Sequence, residues 1–119
     1  MPDRDGRARI QQFRDKFAAK EREEQALAEA TAMVRYFNGV MIANEKVWAW
    51  PTIGAALISK HHWLVIACDS CGTILDLDLR VKRRDPDASV GVALPEARCP
   101  RCNGHGRTRV IGLARFPSI

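Results

Sequence analysis

The stretch Trp63-Leu64-Val65-Ile66-Ala67-Cys68-Asp69-Ser70-Cys71-Gly72-Thr73-Ile74-Leu75-Asp76-Leu77-Asp78-Leu79-Arg80 decides the fold. A short apolar run enters a Cys-x-x-Cys turn. A run that alternates from Leu75 onward leaves it, the pattern of a strand with one wet face. A second turn of the same spacing, Cys99-Pro100-Arg101-Cys102, follows 27 residues later. Val90-Gly91-Val92-Ala93-Leu94 leads toward it and Thr108-Arg109-Val110-Ile111-Gly112-Leu113 leads away. The pattern is two strand–turn–strand units, and it predicts four short antiparallel strands around two facing cysteine pairs.

Two residues between sulfurs bend the backbone so that both thiols face one point. Two such pairs supply four thiolates in a tetrahedron, the arrangement that suits Zn²⁺. Gly72 and Asn103-Gly104 follow the pairs and permit the chain to turn around a metal. Arg98 and Arg101 lie beside the second pair and offset its charge. The sequence therefore predicts one structural Zn²⁺ held by Cys68, Cys71, Cys99 and Cys102. Two disulfides, a redox-active pair and an iron–sulfur centre are the competing readings of four cysteines. No βαβ pattern precedes either pair, which disfavours the redox reading. A segment of under 60 residues with few large apolar side chains seldom builds a sufficient core unaided, so a structural metal would decide its folding.

The remainder is read outward from this module. Arg7 to Phe37 is rich in Ala, Glu, Lys, Arg and Gln and predicts a long helix. Its apolar residues Ile10, Phe13 and Phe17, then Leu27, Val34 and Phe37, recur by threes, fours and sums of these. Asn38-Gly39 is expected to stop it. Lys20 and Glu24 stand where a coiled coil wants apolar residues, which argues against a long coiled coil and for a solvated helix docked at one end. An apolar connector follows, with Trp48 and Trp50 expected to pack between elements. Pro51-Thr52 then opens a short helix, about Thr52 to Lys60. The expected fold class is α+β. A helical N-terminal segment and connector spans 1–50; the short helix and a small antiparallel sheet occupy 51–119.

The chain has 119 residues, near the usual size of one domain, and a net charge of +5. Met1–Lys46 carries nine basic and eight acidic residues; Val47–Ile119 carries ten and six. The excess lies on the cysteine half, in Lys82, Arg83, Arg84, Arg98, Arg101, Arg107 and Arg109. These are candidate contacts to nucleic acid or an acidic partner, although Asp76, Asp78, Asp85 and Asp87 interrupt the field. No apolar run approaches the ~18 residues of a membrane span, and Met1–Arg14 lacks the apolar core of a signal peptide. The expectation is a cytoplasmic protein.

A closed four-cysteine site has no position for a catalytic water. His61, His62 and His105 are read as surface or capping residues. No nucleophile–base set, phosphate-binding glycine loop or paired carboxylates appear, so no enzyme is expected.

The two Cys-x-x-Cys turns with their flanking strands, roughly Trp63 to Leu113, resemble the zinc ribbon class. That resemblance implies zinc strongly and nucleic acid more weakly. The block from Pro51-Thr52-Ile53 through Cys68–Thr73, Asp76–Arg80 and Asp85-Pro86 looks like small, uncharacterised bacterial zinc-ribbon proteins. Cys99-Pro100-Arg101-Cys102-Asn103-Gly104-His105-Gly106 is similar to one CxxCxGxG repeat of the DnaJ-type co-chaperones. This chain has one copy of the repeat where they have four, and it lacks their His-Pro-Asp tripeptide. The functional expectation is a non-enzymatic protein-interaction or adaptor module. A nucleic-acid-binding ribbon, acting as a regulator, is the alternative. The partner's identity and the oligomeric state are not legible.

Overall fold

In the computed structural model, the described residues are 4–102 and 107–118. The order is α1 (Arg4–Ile42), α2 (Ile53–Ile58), β1 (Trp63–Cys68), β2 (Ile74–Asp78), a 3-10 helix (Val90–Glu96) and β3 (Thr108–Ala114). The three strands form one antiparallel sheet in the order β2-β1-β3. The class is α+β, as the sequence predicts.

Helix α1 has 39 residues, about 58 Å at 1.5 Å per residue. The molecule is accordingly elongated, 77 × 28 × 23 Å. The first buried side chain described along α1 is Ala30; Val34, Phe37 and Val40 follow at helical spacing. These last turns pack on α2 and β3. One core joins Val34 and Phe37 to Ile53 and Ala56 of α2, Leu64 and Ile66 of β1, Leu79, Val90 and Ala93, and Val110 and Leu113 of β3.

The expected stop at Asn38-Gly39 is not where α1 ends. Asn38 turns its side chain outward from the helix and uses it as a strand edge. Its Nδ2 donates to the Leu113 carbonyl at 2.9 Å, and its Oδ1 accepts from the Leu113 N–H at 2.8 Å. Paired with β3 in this way, the amide no longer competes for its own backbone. Gly112 makes room for it, since a Cβ there would sit 2.8 Å from Asn38 Oδ1. The helix continues to bury Val40 and ends in a Schellman motif. Asn44 takes a positive φ of 54°, its N–H donates to the Met41 carbonyl, and the Glu45 N–H donates to the Val40 carbonyl.

Helix α2 begins as expected, with Thr52 Oγ1 accepting from the Ala55 N–H at 3.0 Å. Its start is tied to the loop before the 3-10 helix. The Ile53 and Gly54 N–H groups donate to the Ala88 and Pro86 carbonyls, and the Val90 N–H donates to Pro51.

Val90–Leu94 is not a strand. The 3-10 helix there buries Val90 and Ala93, a spacing of three that stacks side chains on one face of such a turn. Ser89 caps it by accepting from the Gly91 N–H, and Pro95 lacks the N–H that a ladder needs. Both edges of β1 are already taken by β2 and β3. Among the described residues the sheet has three strands where the sequence predicts four.

The connector is also corrected in part. The Trp50 ring meets the Phe37 ring at 5.1 Å between centroids, as expected of packing between elements. Trp48 does not pack there; it is 81% exposed, with the Lys46 ammonium 5.2 Å from its ring. Among the described residues no helix is long and apolar enough to cross a membrane.

Candidate metal centre

The β1–β2 hairpin places the first pair. Cys68 ends β1, and its N–H donates to the Thr73 carbonyl while the Gly72 N–H returns to the Cys68 carbonyl. Gly72 closes the turn at φ 73°, a conformation that strains any residue with a Cβ. The second pair lies between the 3-10 helix and β3. The two turns are linked by the Asp69 N–H donating to the Arg107 carbonyl at 2.7 Å and by an ion pair between Arg109 Nε and Asp69 Oδ1 at 2.9 Å.

Cys68, Cys71, Cys99 and Cys102 converge, with all four sulfurs within 4.8 Å of one another. Cys68 and Cys102 sulfurs are 3.7 Å apart, and Cys71 and Cys99 sulfurs 3.5 Å. A disulfide would bring them to about 2.05 Å. A tetrahedron with Zn–S bonds of about 2.3 Å has edges of about 3.8 Å. These two separations lie close to that edge, and the four cysteines are free thiols. The donor set and its spacing could hold a metal ion. Cys68 and Cys99 are buried while Cys71 is exposed, so the site has an inner wall set in the core and an outer rim facing water.

Thiols bind metal as thiolates. The Thr73 hydroxyl, 2.9 Å from Cys71 Sγ, and then the Thr73 backbone hold the Cys71 thiol down at about 6. Hydrogen bonding with Cys71, and then with Cys68, pushes Cys102 up to about 12. Thr73 and Asp69 are the supporting residues that sequence reasoning missed. Their signal is positional: one follows the first pair by two residues and the other lies inside it.

The predicted basic contacts do not form a continuous field. Lys82 Nζ is 2.7 Å from Glu96 Oε1, and Arg84, whose side chain is 9% exposed, is bonded to the other oxygen of the same carboxylate. Arg109 is paired with Asp69. Arg83, Arg98, Arg101 and Arg107 are exposed. The Asn103–Gly106 tail of the co-chaperone-like repeat, with the expected surface residue His105, lies outside the described residues. His61 and His62 stand apart from the four-thiol cluster. Asp76 accepts from the Ser118 N–H, and Asp78 is paired with Arg80.

Arg84 and then Lys82 hold the Glu96 carboxyl down at about 2, against an ordinary value of 4.5. Because the folded value is depressed, the tether's contribution to stability is complete above about pH 4.5 and is lost as pH falls toward 2. A carboxyl-detected NMR titration is expected to place the Glu96 midpoint near 2. A midpoint in the ordinary carboxylate range would show that Glu96 does not hold these cations in solution.

No protein-family model matches this chain, and neither a curated protein nor a solved structure matches it. The reading of the site therefore stands on its geometry.

Proposed function

We propose that this protein is a non-enzymatic zinc-binding module whose activity is recognition of another protein. The observation that carries the zinc reading is the four-sulfur cluster with separations of 3.5 and 3.7 Å, close to the edge of a thiolate tetrahedron. Zinc in that cluster would cross-link the β1–β2 hairpin to the segment entering β3 and act as a staple. Four protein ligands fill a tetrahedral ion and leave no position for a reacting water, which supports a structural role over a catalytic one. The contact surface is assigned to α1, because the described side chains before Ala30 are not buried by the rest of the chain and include Ile10, Phe13, Phe17 and Leu27.

Nucleic-acid binding is the alternative, and exposed Arg83, Arg98, Arg101 and Arg107 on the cysteine half favour it. Its weakness is the pairing of Lys82, Arg84 and Arg109 with carboxylates. Comparing the full chain with a chain lacking residues 1–19 separates the two. The interaction reading expects the shortened chain to keep its zinc and lose its protein partner. A salt-sensitive shift of duplex or single-stranded nucleic acid, retained without residues 1–19 and lost on replacing Arg83, Arg98 and Arg101 by Ala, would assign the alternative instead.

A further inference from the structure

We infer that the partner of the α1 arm is a second copy of this chain, paired antiparallel about a two-fold axis beside Arg22. The inference rests on the assignment of α1 as the contact surface and names its occupant.

Phe13, Phe17, Lys20, Glu24, Leu27 and Thr31 are spaced 4, 3, 4, 3 and 4 along α1, the a/d seam of a heptad pattern. Phe13 and Phe17 are 71% and 56% exposed, and their rings stack at 6.5 Å between centroids. At 3.6 residues per turn the seam's mean direction lies about a sixth of a turn from Val34, the next position of the pattern, and about a third of a turn from Phe37, both of which face the module. The seam is exposed from Phe13 to Leu27, and Thr31 at its end is half-buried. A helix this long with no buried face over its first turns draws little stability from the rest of the fold.

The two charges that interrupt the seam choose the partner's direction and register. In a parallel, in-register pair Lys20 meets Lys20 and Glu24 meets Glu24, so both layers repel. In an antiparallel pair a seam residue meets one whose number sums with its own to a constant, and permitted constants differ by seven. With a sum of 44, Lys20 meets the partner's Glu24 and Glu24 meets the partner's Lys20. Phe17 then meets the partner's Leu27, and Phe13 meets the partner's Thr31. A sum of 37 drives Lys20 against the partner's Phe17 and Glu24 against the partner's Phe13. A sum of 51 sets Glu24 against the partner's Leu27. Among the three, the sum of 44 places apolar on apolar at Phe17 and Leu27 and satisfies both charges. The seam closes near Thr31, because Val34 is already buried by the module. The antiparallel direction also sends the two cysteine modules to opposite ends of the pair.

Sedimentation equilibrium of the full, zinc-loaded chain tests this. A reversible dimer is expected. Lys20→Glu alone and Glu24→Lys alone should each weaken it by about tenfold or more, since each turns two attractive layers into repelling ones. The double variant should recover to within about threefold, and the two single variants mixed should pair with each other. Both side chains are exposed on the projecting part of α1, and unchanged zinc content confirms that the module still folds. A chain that stays monomeric overturns the inference, and so does a dimer that both single variants leave intact. A monomer whose residues 1–19 are still needed to capture another protein overturns self-pairing alone and leaves the interaction reading standing.

Discussion

Replacing Cys99 by Ser is expected to abolish zinc binding and the cooperative unfolding of the β-sheet module. Cys99 and Cys68 are almost inaccessible, at 0% and 1%, and they form the inner wall of the cluster. A serine at position 99 leaves a weaker ligand set and puts an uncompensated hydroxyl into the core. Structural zinc contributes about 10–16 kcal/mol in small zinc-finger peptides, whereas whole domains are stable by only about 5–15 kcal/mol. Losing the first is enough to cancel the second. A strong chelator should act on the native chain in the same way: near-UV circular dichroism should collapse and protease resistance should vanish, with α1 partly retained. A Cys99→Ser chain that melts at the native temperature would remove the structural role.

Phe37→Ala is the second large effect. Phe37 is fully buried, packs its ring on Trp50 and belongs to the one core that joins α1 to both α2 and the sheet. Truncating a buried phenylalanine costs about 3–5 kcal/mol, the transfer of the ring plus the cavity it leaves. Loss on that scale is a large share of the stability of a domain of this size. Urea denaturation followed by tryptophan fluorescence should show the midpoint falling by about 1–5 M, given slopes of about 1–3 kcal/mol per M for small proteins. A loss under about 1 kcal/mol would mean that α1 is not held to the module through this ring. Zinc content should survive at low denaturant, because Phe37 is not one of the four cysteines that could hold a metal.

The parts of this molecule visible in its sequence are those governed by local rules. Two Cys-x-x-Cys turns, the apolar run Trp63–Ala67 and the alternation from Leu75 place β1, β2 and the four cysteines of the candidate metal site. Ala- and Glu-rich composition places α1, and Thr52 places the start of α2. What escaped was decided by distant partners. Asn38-Gly39 reads as a helix stop until the Asn38 amide is given Leu113, 75 residues away, as its hydrogen-bonding partner. Val90–Leu94 carries β-branched residues, yet the sheet has no edge on β1 left to offer it. The pairing of Lys82 and Arg84 with Glu96, more than ten residues on, is likewise set by the fold and not by the local run Lys82–Arg84. Trp48 and Trp50 share one apolar connector, and no local pattern signals that of the two it is Trp50 that meets Phe37.

Lys20 and Glu24 illustrate the same point from the other side. Within one chain they interrupt an apolar stripe. Set against a second copy, their opposite signs and their symmetry about residue 22 become a register signal.

The central claim is that one zinc ion sits among the sulfurs of Cys68, Cys71, Cys99 and Cys102. Elemental analysis of the chain purified without added metal tests it most directly. The account predicts one zinc per chain, lost when Cys68 or Cys99 is replaced by Ser. A chain that carries no metal, or one whose metal content is indifferent to both substitutions, would contradict it.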